Sequence, residues 1–145
     1  MIKNRLVVFI TDDDEDDIEM IREEIEKHAG EKVIIKISNN GEELIDYLNS
    51  NDNLIPDLIL LDLKMPKVDG IQVLKYVKGK KSLMSIPIIV LSNSSDEDDV
   101  DNSYLNGANS YVTKPTDYKD LVETIFKLEK FWMETAMLPR KKIDD

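Results

Sequence analysis

Short apolar runs alternate with longer stretches that carry one apolar stripe. "RLVVFI" (Arg5–Ile10) is almost wholly apolar, as expected of a strand buried on both faces. From Asp16 to Ala29 the apolar residues fall at Ile18, Ile21, Ile25 and Ala29, a helical spacing, and Gly30 offers a stop. "KVIIKIS" (Lys32–Ser38) predicts a second strand. The next helix, short, carries Leu44, Ile45 and Leu48. "PDLILLDL" (Pro56–Leu63) predicts a third strand, and Pro66 and Gly70 mark a loop. Ile71, Leu74 and Val77 then predict a helix over Ile71–Lys78. "IPIIVLS" (Ile86–Ser92) predicts a fourth strand, with Pro87 tolerated at its entry. Ser95, followed by four acids, predicts a capped helix start that complements the helix dipole. "SYVTKP" (Ser110–Pro115) predicts a short fifth strand, and Asp117 to about Met137 a last helix.

Five strands alternating with five helices predict an α/β fold: a doubly wound parallel sheet covered on both faces, its topology restricted by right-handed crossovers. No repeat or linker divides the pattern. The expected domain is residues 1–137, with 138–145 as a tail. In open sheets of this kind ligands bind beyond the carboxyl ends of the strands. Strand one ends at Asp12 and Asp13, strand three at Asp62, strand four at Ser92 and strand five at Lys114. Three carboxylates, a hydroxyl and an ammonium thus converge on one edge. Unpaired carboxylates about 4 Å apart repel by roughly 4 kcal/mol at a surface-like dielectric. Clustered oxyanions of this kind suit a hard divalent cation, Mg²⁺ or Mn²⁺, and a phosphate could bridge cation, ammonium and hydroxyl.

Composition narrows the functions. The 145 residues carry a net charge of −11, which argues against nucleic-acid binding. No apolar run approaches the ~20 residues needed to span a bilayer, and the N-terminus lacks a signal-peptide pattern. The chain has no cysteine and one histidine, His28, so thiolate metal sites and histidine catalysis are excluded, and a cytoplasmic protein is expected. "DDDEDD" is not a calcium loop, because neither register has glycine at the sixth position. Asp14, Glu15, Asp16 and Asp17 are expected to begin a helix and face water.

Four motifs surround these strand ends: "DD" at Asp12–Asp13, "LLDLKMPKVDG" at Leu60–Gly70, "VLSNS" at Val90–Ser94 and "YVTKP" at Tyr111–Pro115. With these motifs at these spacings, the chain from Arg5 to about Leu128 resembles a response-regulator receiver domain, a flavodoxin-like fold with strand order 2-1-3-4-5. The resemblance implies that Asp62 accepts a phosphoryl group from a histidine kinase. It implies that Asp12, Asp13, Asp62 and the main-chain carbonyl of Lys64 hold Mg²⁺. Ser92 would bond the phosphoryl group, and Lys114 would pair with it as the second catalytic residue. Tyr111 would be the switch aromatic, and a cis Lys114–Pro115 bond would aim the lysine inward. Lys64 and Ser94 occupy positions that tune phosphate lifetime. The motif set and the long aromatic C-terminal helix are similar to stand-alone, phytochrome-associated bacterial regulators, which implies a sensor kinase, phytochrome-like, as donor.

Two apolar stripes run along the last helix: Leu121, Ile125, Leu128 and Trp132, and beside them Val122, Phe126 and Met133. The second stripe, with Phe131 and Trp132, is expected to form a homodimer interface. The protein is then a switch, not a conventional enzyme. Two rivals stay open. A phosphatase of the dehalogenase type would want a carboxylate where Lys64 stands. A pseudo-receiver would dock partners without phosphorylation.

Overall fold

The computed structural model describes residues 5–50 and 54–139. The strands are β1 (Leu6–Thr11), β2 (Val33–Ser38), β3 (Leu58–Leu61), β4 (Ile88–Ser92) and β5 (Ser110–Thr113). They form one parallel sheet in the order β2-β1-β3-β4-β5, as the resemblance implied. The helices are α1 (Glu15–Ala29), α2 (Gly41–Asn49), α3 (Gly70–Gly79), α4 (Glu97–Leu105) and α5 (Tyr118–Glu129). Arg140–Lys142 and most of the expected tail lie outside the described residues.

The continuous apolar strands follow from burial on both faces. Successive side chains alternate across the sheet. Val7 and Phe9 enter a core with Leu44, Leu61, Leu74 and Val77, beneath α2 and α3. Val8 and Ile10 enter a second core with Ile21, Ile25, Leu121 and Ile125, beneath α1 and α5. By contrast, α4 buries only Ser103.

An Asp or Asn side chain caps every α-helix: Asp14, Asn40, Asp69, Asp96 and Asp117. Asp69 and Gln72 form a full capping box. The cap of α4 is Asp96, not the expected Ser95; its carboxylate accepts from Asp98 N at 3.0 Å. Gly30, at φ 56°, ends α1 in the left-handed region that glycine tolerates.

The last helix differs from expectation. It is α-helical only to Glu129 and continues as a π turn over Lys130–Thr135. The Thr135 hydroxyl donates to the Lys130 carbonyl at 2.9 Å, and Ala136 N–H donates to the Phe131 carbonyl at 2.7 Å. Val122, Leu128, Trp132 and Met133 all pack against the second core. The second stripe therefore does not lie open to water: Val122, Trp132 and Met133 fold onto their own domain, and Phe126 sets its ring edge-on to His28 at 4.9 Å. Phe131 stays 51% exposed.

Candidate functional site

Asp12, Asp62 and Lys114 each stand one position past a strand, Ser92 is the last residue of β4, and the first three are still tied to the neighbouring strand by their backbone. Asp12 N donates to Ser38 O at 3.2 Å, Asp62 N to Thr11 O at 2.9 Å, and Lys114 N to Ser92 O at 2.6 Å. The side chains are thus aimed by the sheet and not by a mobile loop. Behind Asp62 the chain turns back through Gly70, whose N–H donates to Leu63 O at 2.9 Å. A Cβ on Gly70 would lie 2.7 Å from Asp62 O and 2.8 Å from Leu63 Cα, so only glycine allows this approach.

Asp12, Asp13 and Asp62 each bring a carboxylate oxygen within 4.8 Å of the others. Asp12 and Asp62 are buried and Asp13 is exposed. With Asp14, Lys64, Ser92, Asn93 and Lys114 they line a cavity of about 100 Å³. Organic ligands usually occupy pockets of about 300–1,000 Å³; this one suits an ion and a group of phosphoryl size. A larger groove of about 210 Å³, lined by Ile55, Met84, Pro87 and Pro139 among others, lies away from these groups.

Lys114 is almost fully buried, and its Nζ donates to Asp12 Oδ2 at 2.6 Å and to Asp17 Oδ2 at 2.8 Å. Burial alone would lower its pKa; the bonds to Asp12 and Asp17 outweigh that and raise it, so the ammonium stays charged. Asp62 is pushed up to about 7, first by burial and then by the charge of Asp12, with Lys114 opposing. Burial likewise raises Asp12, against its bonds from Lys114. One ammonium does not balance three clustered carboxylates. A divalent ion would, and by doing so would hold Asp62 ionised. The donor set, all oxygen, fits such an ion.

Ser92 is fully buried, and its Oγ accepts from Ser94 N at 3.2 Å, which leaves the hydroxyl proton to donate elsewhere. Tyr111 is half-buried; its hydroxyl donates to Ser94 O at 2.7 Å, and its N–H donates to the Tyr104 hydroxyl at 3.0 Å. The Lys64 side chain leaves the cavity mouth for Asp99 on α4, at 3.3 Å, where the Ser94 hydroxyl also donates, at 2.6 Å. The Ser94 bond first, then Lys64, holds the Asp99 carboxyl below its usual range.

Two expectations need correction. No cis peptide bond occurs among the described residues, so Lys114–Pro115 is trans, and Lys114 still points inward. Asp17 does not simply face water; it is the second partner of Lys114. Asp17, Asn93 and Asp99 were not legible as site residues. Asp17 is the third residue of α1, where an acid ordinarily serves only the helix dipole.

A model of the response regulator receiver domain matches residues 8–126. The chain belongs to this family. Response regulator Rcp1 of Synechocystis sp. is 35% identical over 137 residues, 92% of each chain. FilR2 of Methanothrix harundinacea, a probable methanogenesis regulatory protein, is 37% identical over 97 residues, 65% of this receiver; the match spans 63% of FilR2. Among solved structures, the phosphorylated cyanobacterial phytochrome response regulator RcpA superposes with a TM-score of 0.90 at 35% identity, covering 94% of this receiver and 99% of RcpA. The Mn²⁺-bound form of Rcp1 gives 0.88 at 34% identity, covering 93% and 99%. Asp12, Asp13 and Asp62 together form a candidate divalent-cation site, and Rcp1 is the relative solved with Mn²⁺ bound. No helix among the described residues is long and apolar enough to cross a membrane.

Proposed function

We propose that this receiver is a phosphorylation-driven switch. Asp62 takes a phosphoryl group from the phosphohistidine of a sensor histidine kinase. The observation that carries the reading is the seating of Asp62 with Asp12, Asp13, Ser92 and Lys114 around one small cavity. An ionised Asp62 oxygen forms the new O–P bond as the P–N bond to the donor imidazole breaks, and the electron pair leaves with that nitrogen. Asp12, Asp13, Asp62 and the Lys64 carbonyl hold Mg²⁺ or Mn²⁺. The ion supplies charge neutralisation when bound. Lys114 and the Ser92 hydroxyl then receive the phosphoryl oxygens. Movement of Ser92 disturbs the Ser94 backbone and with it the Tyr111 hydroxyl bond, which carries the signal to α4 and β5. The protein acts as a switch and not as an enzyme with a turnover substrate.

The donor is a kinase of the phytochrome kind, a reading supported by the likeness to RcpA. We place a homodimer contact at exposed Phe131 and the Trp132 ring beside it; Val122, Phe126 and Met133, expected in the same contact, are only partly buried within their own domain. Light scattering that shows only monomer, with and without phosphorylation, would remove the dimer. The function is tested with acetyl phosphate and Mg²⁺, read by intact mass. Wild type gains one phosphoryl group and Asp62→Asn gains none. Failure of wild type to label with any donor would instead favour a docking module that works without phosphorylation.

A further inference from the structure

Lys114 is held by two carboxylates, Asp12 and Asp17. Asp12 already has both oxygens engaged: Oδ1 accepts from Asp14 N–H at 2.9 Å and Oδ2 from Lys114 at 2.6 Å. Yet Asp12 is also one of the three carboxylates placed around the cation. A carboxylate that answers an ammonium and a divalent ion together must divide its charge between them. Asp17 stands where it can relieve that conflict. It sits in the first turn of α1, with its backbone N–H donating to the Asp14 cap at 3.1 Å. Its carboxylate accepts from Lys114 at 2.8 Å, with the side chain 21% exposed. Its neighbour Asp16 is exposed.

We propose that Asp17 is the retaining counter-ion of Lys114: it keeps the ammonium seated while Asp12 turns to the divalent ion, so that the site holds both cations at once. An ammonium has three protons. With one on Asp17 and one shared with Asp12, the third remains for the phosphoryl group on Asp62. Asp17 is thus a positioning residue that acts through Lys114. It also ties the first turn of α1 to the state of the site. The inference rests on the cation-site reading above.

The test compares two variants that remove the same charge from the same helical turn. Asp17→Asn keeps the side-chain shape but leaves Lys114 with Asp12 as its one hydrogen-bonded carboxylate, so the divalent ion must compete for Asp12. Asp16→Asn removes an exposed charge that salt largely screens. Mn²⁺ titration by calorimetry at about 0.15 M salt should show the dissociation constant of Asp17→Asn raised roughly three- to tenfold, and that of Asp16→Asn by less than about twofold. Asp17→Glu, which keeps the charge, should recover part of the loss. Acetyl-phosphate labelling of Asp17→Asn should be slow at low Mg²⁺ and approach the wild-type rate at saturation. A purely structural helix-start role would lower the unfolding temperature and leave the cation dependence unmoved. Equal Mn²⁺ affinities in Asp17→Asn and Asp16→Asn would overturn the proposal. Absence of Mn²⁺ binding by wild type would overturn the site reading, and this inference with it.

Discussion

Replacing Asp62 with asparagine should stabilise the metal-free protein, by an amount that depends on pH. Asp62 is buried among Asp12, Asp13 and Lys114, and its carboxyl rises from 3.8 to about 7. The unfolded chain loses this proton near pH 4 and the folded chain only near pH 7. Between those values the folded state holds the extra proton, so stability falls as pH rises. The penalty is absent below about pH 4 and complete above about pH 7. At about 1.4 kcal/mol per pH unit, the full rise corresponds to a ceiling of about 4 kcal/mol. Water at the open mouth of the cavity relieves part of it, so the expected gain at pH 8 is about 1–3 kcal/mol. Asparagine has no charge to bury, and its advantage should vanish toward pH 4. Urea unfolding in EDTA at pH 4.5, 6, 7 and 8 measures the difference directly. Adding Mg²⁺ at 100 times its dissociation constant should stabilise wild type by about 2.7 kcal/mol and leave Asp62→Asn nearly unmoved. Equal stabilities at pH 8 in EDTA, or a difference that does not vary with pH, would refute the charge-crowding account of the site.

Lys114→Met removes the ammonium from a pair whose side chains are 2% and 4% exposed, and should cost about 3 kcal/mol in EDTA with partial recovery in Mg²⁺, by the same urea assay. Gly41→Ala places a Cβ 2.4 Å from the Val68 carbonyl oxygen and 2.9 Å from Val73 Cγ2, and should cost about 1–3 kcal/mol, read as a lowered unfolding temperature. Glu129, buried beside Glu134, has its carboxyl raised from 4.5 to about 7, first by burial and then by the bond to Glu134. This group therefore withdraws stability as pH rises from about 4.5 to 7. Glu129→Gln should melt progressively higher than wild type over that range, and a constant offset would contradict the assignment.

Most of the site was legible because the strands are short, continuous apolar runs. The polar residues that close each run have to stand at the sheet edge, and that logic brings Asp12, Asp62, Ser92 and Lys114 to one cavity. Asp17 escaped because its role depends on a contact across 97 residues, while its local position reads as an ordinary acidic helix start. Asp99 escaped in the same way: the bond to Lys64 joins α4 to the β3–α3 loop, and neither motif names the other. Ser95 and Asp96 are equally good caps, so composition alone does not choose between them. The π turn was invisible because its apolar residues continue the helical stripe while the hydrogen bonds shift beneath them.

The π turn also holds the only tryptophan in the chain. Trp132 packs against the α1 and α5 core, with Phe131 edge-on at 5.2 Å. Helix α5 leaves the site edge of the sheet just after β5 and runs 12 residues, about 18 Å, before reaching this turn. Indole emission should thus respond little to events confined to the acidic cavity and should report those that reach the far end of the domain. A wild-type receiver whose fluorescence stays constant as Mg²⁺ is added, then changes on phosphorylation, would separate ion binding from long-range response in one cuvette, with no dye attached.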